Sequence, residues 1–247
     1  MTGGPGGSTA SEASVVRTPG NRRGERVVAL VAARDEADLI GATVDALRGI
    51  DGVSDVVVVD DGSRDTTAAR AIEAGAAVLR RERAIGKGGA VDRALDRVKA
   101  DVWLIADGDL GSSATVLMAV LEPVLDGAAD LAIAAFPSPR EGGGFGLVKR
   151  TARRLIRVLS GFHASEPLSG QRAISAEALD AVRPLAGGFG LETAMTIDAV
   201  RAGFRVVEVP ADVSHRPTYR DVRGFAHRGR QGWDVVCAVV PRALGLR

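Results

Sequence analysis

Residues Asp101–Leu110 read DVWLIADGDL. The five apolar residues Val102–Ala106 run straight into Asp107-Gly108-Asp109. A short apolar run that stops at turn residues reads as a strand buried on both faces. Side chains two apart on a strand point the same way. Asp107 and Asp109 are therefore expected to project together from the strand's C-terminal tip, close enough to share one hard cation. Magnesium or manganese, held by one or two carboxylates together with a substrate's phosphates, suits such a pair. The plainer reading is that acidic residues end a strand and turn the chain. The flanking stretches decide between the two.

Upstream, RVVALVAA (Arg26–Ala33) reads as a first buried strand, followed by the polar loop Arg34-Asp35-Glu36. Asp38–Arg48 carries Leu39, Ile40, Val44 and Leu47 at helical spacing. Val56–Val59 is a second buried strand ending in Asp60-Asp61-Gly62-Ser63, and Thr66–Ala74 a helix with Gly75 as its C-cap. Ala76–Leu79 is a third, shorter strand. Ile85-Gly86-Lys87-Gly88-Gly89 then opens a helix running to about Lys99. Strand–helix alternation of this kind predicts an α/β fold with a mostly parallel sheet and right-handed crossovers. Ligands of such sheets bind beyond the carboxyl ends of the strands. The clusters at Asp35-Glu36, Asp60-Asp61 and Asp107-Asp109 all fall at that edge, which three unrelated turns would not explain.

Downstream the pattern is less regular. Helices are expected over Ala114–Leu125 (disturbed at Pro123), Leu147–Leu159, Ala176–Ala181, Leu191–Ala202 and Trp233–Leu244, with strands over Asp130–Phe136, Ala173-Ile174 and Phe204–Val209. Pro137–Gly146 reads as a Pro/Gly-rich loop, a candidate flap. Met1 to about Gly24 is rich in Gly, Ser, Pro and Thr and is expected to be a disordered tail. The 247 residues suit one large domain or two merged halves. A net charge of +1 gives no global field toward nucleic acid. The single cysteine, Cys237, excludes an internal disulfide framework and fits a reducing cytoplasm. No run approaches the roughly 18 apolar residues of a spanning helix, and the start of the chain lacks the apolar core of a secretion signal.

In this order the pieces resemble the family 2 glycosyltransferases and their relatives on the GT-A fold, over roughly Arg26–Arg216. The family's P-A-x-N-E-like loop is met by Ala32-Ala33-Arg34-Asp35-Glu36, with Ala and Asp in place of Pro and Asn. Its V-V-D-D-G-S-x-D-x-T is met without a gap by Val58–Thr67. G-K-G-x-A is met by Gly86–Ala90, and D-x-D by Asp107–Asp109. The resemblance implies a GT-A fold in a single domain, with a nucleotide-sugar-binding half over residues 25–110 and an acceptor-binding half over residues 111–247. It implies a nucleotide-diphosphate sugar as donor and Mg2+ or Mn2+ as cofactor. The metal at Asp107 and Asp109 would neutralise charge developing on the diphosphate. The resemblance also implies that Ala33, Asp35 or Glu36, and Asp61 line the base and ribose pocket. Lys87, in a Gly-flanked turn at a helix start, offers a point charge to phosphate beside backbone N–H donors. Asp65 reads as a helix cap and stays outside the site.

One departure bears on the acceptor. Many inverting members carry an aspartate base at the start of a helix lining the acceptor site. Here Gly188-Phe189-Gly190-Leu191-Glu192-Thr193 has Glu then Thr. Either Glu192 is the base or the acceptor needs none, as for an ionised phosphate or a retaining reaction. An ionised phosphate acceptor suits enzymes that resemble the dolichyl- or polyprenyl-phosphate sugar synthases. A retaining reaction resembles that of the glucosyl-3-phosphoglycerate synthases, which share a look with Glu166–Gly170, Gly187–Glu192 and His215-Arg216; in that group the histidine completes the metal site. Arg172, Arg216, Arg220, Arg228 and Arg230 are candidates for a phosphate-binding cluster. Basic and apolar sides on Leu147–Leu159 and Trp233–Leu244 are compatible with peripheral contact at the inner face of a membrane beside a lipid-linked acceptor. Packing on the core with the arginines outward is the more frequent meaning of this pattern. A homodimer is allowed and nothing fixes it. A pyrophosphorylase would need a glycine-rich basic loop after the first strand, and a P-loop nucleotidase an upstream glycine and a following Ser or Thr; both are absent. A non-catalytic nucleotide-sugar binder remains the rival class.

Overall fold

The computed structural model describes residues 24–82, 84, 86–136, 145–211 and 237–244. The expected tail (residues 1–23), most of the expected flap (137–144) and the basic stretch 212–236 lie outside the described residues. A seven-stranded sheet is built from β1 (Val27–Ala33), β2 (Val53–Asp60), β3 (Ala77–Arg80), β4 (Val102–Asp107), β5 (Leu131–Ala135), β6 (Arg172–Ser175) and β7 (Val206–Pro210). Its order is β3-β2-β1-β4-β6-β5-β7. β6 runs antiparallel to both its neighbours, while β1–β2, β1–β4, β2–β3 and β5–β7 pair in parallel.

Both faces are covered, as the unbroken apolar runs predict. Val27, Ala29 and Val31 of β1 join Val102, Leu104 and Ala106 of β4 in one core cluster with Ile40, Val44 and Leu47 of α1 (Ile40–Arg48) and Leu121 and Val124 of α4 (Met118–Leu125). Val28, Leu30, Trp103 and Ile105 face the other way. They meet Ala90 and Val91 of α3 (Lys87–Leu95), Leu179 of α6 (Ala176–Val182), and Leu191 and Met195 of α7 (Leu191–Arg201). Helix α2 (Thr67–Glu73) ends before Gly75, whose φ of +89° is the left-handed turn expected there. Helix α5 (Phe145–Ser160) packs Ala152 and Ile156 with Ile197 of α7 and with Val239, in a helical segment over residues 237–243.

Two helix boundaries differ from expectation, while a third holds. Helix α3 stops at Leu95 rather than near Lys99, although the Val98 N–H still reaches the Ala94 carbonyl. The helix expected from Ala114 begins as a 3-10 turn over Gly111–Leu117 and becomes α-helical only at Met118. Pro123 lies inside α4, which ends two residues later at Leu125.

Candidate active site

The register places the three acidic clusters at one edge. Ala33 pairs with Asp60 across β1–β2, and Ala32 with Asp107 across β1–β4. The loops above these tips are tied together. The Asp35 N–H donates to Ser63 Oγ at 3.0 Å, and Asp35 Oδ1 accepts from the Arg64 N–H at 2.8 Å. The Glu36 N–H donates to Thr67 Oγ1 at 2.8 Å, and the Ala37 N–H to Asp65 Oδ2 at 3.2 Å. Asp35 takes a left-handed φ of 56°, which aspartate tolerates better than most residues. Asp65 sits one residue before the cap position, Thr66, and accepts from the Thr67 N–H at 2.9 Å. The Thr67 hydroxyl bond chiefly holds its carboxyl below the usual range.

Asp60 and Asp61 divide their work. Asp60 is fully buried, accepts from the Ser63 N–H at 2.8 Å, and has Arg80 Nε 3.5 Å away. It builds the turn. Asp61 reaches across instead: its Oδ2 accepts from the Gly86 N–H at 2.9 Å, with Arg81 Nε at 3.9 Å. The tip of β2 is thereby joined to the start of α3. Ala33 is buried beneath these loops, and a Cβ on Gly108 would come within 3.0 Å of its own Cβ.

Strand alternation continues as far as Asp107, the last residue of β4. That alternation puts Asp107 on the face of Trp103 and Ile105, against which α3 and α7 pack. Asp109 lies beyond the strand, in a turn. The expected common direction of the two carboxylates therefore does not follow from strand periodicity, which ends one residue too early. The turn is pinned from below by the buried Thr43 of α1. Its hydroxyl donates to the Gly108 carbonyl at 2.9 Å and accepts from the Gly111 N–H at 2.8 Å. Sequence reading passes over Thr43, which looks like any polar residue on an amphipathic helix.

Lys87, first residue of α3, extends its ammonium between two acids. Nζ lies 2.6 Å from Asp107 Oδ1 and 3.0 Å from Glu192 Oε1 at the start of α7. Burial works against the charged ammonium, but Asp107 and then Glu192 outweigh it and raise its pKa above the ordinary lysine value. The approach of α3 to the Gly188–Gly190 turn depends on small residues. Gly86 has φ +85°, and a Cβ on Gly88 would stand 1.9 Å from the Ala186 carbonyl oxygen. Because that obstacle is backbone, Gly88→Ala is expected to cost about 3 kcal/mol. Equilibrium denaturation reads this as a lower midpoint. Arg183 fastens the same stretch to α3, with Nε 2.9 Å from Asp92 and Nη2 2.7 Å from Asp96.

Arg172 is not where a phosphate clamp would be. It is 1% exposed, donates Nε–H to the Ser169 carbonyl at 2.8 Å and Nη1–H to Thr196 Oγ1 at 2.9 Å. Burial pushes its pKa down to about 10, against the pull of Glu192 and Glu208. As the first residue of a strand enclosed by β4 and β5, it is turned into the interior and holds up the loop before β6. Thr193 is also buried, and its hydroxyl has no hydrogen-bond partner among the described residues. His215, Arg216, Arg220, Arg228 and Arg230 lie outside the described residues. Gln171, which sequence reading does not single out, donates Nε2–H to Asp107 Oδ2 at 2.7 Å.

As a donor set the site fits a hard divalent cation. Asp107 and Asp109 are half-buried and supply oxygen alone. Among the described residues no three His, Cys, Asp or Glu side chains converge as a metal-binding group. That suits a cation taking its other ligands from a diphosphate and water.

A mostly parallel sheet whose carboxyl edge sets Asp107 and Glu192 against one lysine defines the class of GT-A nucleotide-sugar proteins. The family model "Glycosyl transferase family 2" matches residues 29–181, more than half of the chain, and the chain belongs to that family. Its relatives include a glucosyl-3-phosphoglycerate synthase of Mycolicibacterium paratuberculosis, 31% identical over 200 residues, covering 72% of this chain and 60% of the relative. An undecaprenyl-phosphate mannosyltransferase of Micrococcus luteus is 33% identical over 205 residues, covering 75% of this chain and 82% of the relative. The chain spans 60% to 66% of the length of the first curated relatives it matches. Among solved structures, the Mycobacterium tuberculosis glucosyl-3-phosphoglycerate synthase in complex with Mn2+, uridine-diphosphate-glucose and phosphoglyceric acid superposes with a TM-score of 0.74. It is 26% identical, and the match covers 90% of this chain and 81% of that one. The GT-A expectation holds.

Proposed function

We propose that this chain is a metal-dependent glycosyltransferase that moves a sugar from a nucleotide-diphosphate sugar to a phosphate-bearing acceptor. The observation that carries this reading is the Lys87 ammonium held between Asp107 and Glu192 at the carboxyl edge of the sheet.

Residues 25–110 form the donor half in this proposal and residues 111–247 the acceptor half. Ala33 floors the base and ribose pocket, which Asp35, Glu36 and Asp61 border. Asp107 and Asp109 hold the cation, with His215 as the candidate third protein ligand and Arg216 as a further phosphate contact. The bound cation supplies Lewis-acid neutralisation of the diphosphate leaving group. Lys87 adds a second positive charge beside that diphosphate, positioned before the sugar bond breaks. Glu192 is engaged by the Lys87 ammonium at 3.0 Å; Thr193, the next residue, has no basic group. A lipid-phosphate oxyanion needs neither, and a retaining transfer to the hydroxyl of a phosphorylated acid needs no such base. The same pair argues against Glu192 as base toward a neutral hydroxyl.

The lipid-linked acceptor is the finer part of the proposal. Its support is the exposed side of α5, where Arg150, Arg154 and Arg157 flank Val158. No helix among the described residues is long and apolar enough to cross a membrane. A cytoplasmic setting, with contact at the inner membrane face through α5, belongs to the same proposal. An acceptor screen tests the whole. With Mn2+ and uridine-diphosphate sugars as first donors, transfer is expected to 3-phosphoglycerate or to undecaprenyl phosphate in preference to neutral sugars. Product stereochemistry by proton NMR then distinguishes retention from inversion. Preference for a neutral hydroxyl would overturn the acceptor assignment, and donor binding without transfer or hydrolysis would leave a binder.

A further inference from the structure

Strand β6 enters the sheet against the direction of β4, so it begins where β4 ends. The register pairs Ile105 with Arg172. The residues leading into β6 therefore arrive beside Asp107. Gly170 comes so close that a Cβ there would stand 2.7 Å and 3.2 Å from the two Asp107 carboxylate oxygens.

Gln171 follows and is 1% exposed. Its side-chain amide is held at two points and its backbone at a third. Nε2–H donates to Asp107 Oδ2 at 2.7 Å, Oε1 accepts from the Ser169 hydroxyl at 3.4 Å, and its backbone carbonyl accepts from the Ala134 N–H at 3.0 Å. The support below is equally fixed, since Arg172 holds the Ser169 carbonyl at 2.8 Å. Two unlike groups therefore meet at Asp107. Lys87 is a point charge on a flexible stem, shared with Glu192 and able to follow a diphosphate. Gln171 is neutral, buried and directional, and no ligand charge draws it away.

We infer that Gln171 is a positioning residue that holds the plane of the Asp107 carboxylate while Lys87 turns to the diphosphate. The inference rests on the proposed role of Asp107 toward a cation–diphosphate. Groups that hydrogen-bond to a liganding carboxylate typically change metal affinity by about 10- to 100-fold. If Gln171 acts through Asp107, its removal matters only while Asp107 is present.

The test is Mn2+ binding in the presence of saturating UDP, followed by the electron paramagnetic resonance signal of free Mn2+, with thermal unfolding on the same samples. Gln171→Met and Gln171→Leu keep the volume and remove the donor, and two variants guard against one failing to fold. The expected result is an Mn2+ Kd raised at least about tenfold, with UDP binding in the absence of metal unchanged. In an Asp107→Ala background the second substitution is expected to add less than a further twofold loss. A folded Gln171→Met protein whose Kd stays within twofold of wild type overturns the inference, as does an undiminished loss in the Asp107→Ala background. Wild-type protein that takes up no Mn2+ with UDP overturns the functional reading itself, and this inference with it.

Discussion

Replacing Lys87 with methionine is expected to lower kcat/KM for sugar transfer about 10²- to 10³-fold, the range for losing one preorganised electrostatic contact to a developing charge. The ammonium stands 2.6 Å from Asp107 and 3.0 Å from Glu192. Removing it takes a positive charge from the diphosphate and leaves two carboxylates facing each other without their shared partner. The fold should survive with a penalty of roughly 1–3 kcal/mol, because Lys87 is only partly shielded from water and the pair is weaker than a fully enclosed one. Arginine is expected to rescue poorly, since a planar fork cannot replace a compact charge in a turn flanked by Gly86 and Gly88. The sign of the pH effect follows from the raised pKa of Lys87. A basic group raised on folding contributes fully below its ordinary value, near 10.5, and loses that contribution only as pH climbs through the folded value. No limb of the pH–rate profile between about pH 6 and 9 should therefore belong to Lys87. Steady-state kinetics of Lys87→Met beside its denaturation curve checks both parts. A variant keeping more than a tenth of wild-type activity would remove Lys87 from the chemistry.

Asp109→Ala is expected to abolish metal-dependent transfer, with a loss of about 10³-fold or more at saturating Mn2+. Asp109 lies in the turn just past β4, half-buried, with Thr43 fixing the backbone beneath it. The side chain is therefore removable without disturbing the sheet, and the loss should fall on cation and donor binding together. Titrating Mn2+ and donor against the variant separates this from misfolding. Undiminished transfer would refute the metal role of the Asp107–Asp109 turn.

Much of this was legible in the sequence because it is local. Apolar runs ending in Asp60-Asp61 and Asp107-Gly108-Asp109 announce buried parallel strands and the edge at which a ligand binds. The glycines around Lys87 announce a backbone that must come close to something. Arg172 shows where local reading fails. An arginine after Ser169-Gly170-Gln171 has the chemistry of a phosphate ligand, yet a strand position between β4 and β5 turns it inward. Gln171 and Thr43 carry no chemical signature of their own. Their importance lies in what a distant segment brings beside them.

Amino-acid order by itself determined the α/β class, the strand tips that bear acid and the helix that begins at Lys87, since hydrophobic periodicity and turn chemistry act between near neighbours. Tertiary structure alone decided that β6 would run backward between β4 and β5. That direction delivers Gly170 and Gln171 to Asp107, and the packing of the Gly188–Gly190 turn against α3 delivers Glu192, at the start of α7, to Lys87. Contacts between such remote segments depend on how whole elements pack, and no pattern within either segment encodes them.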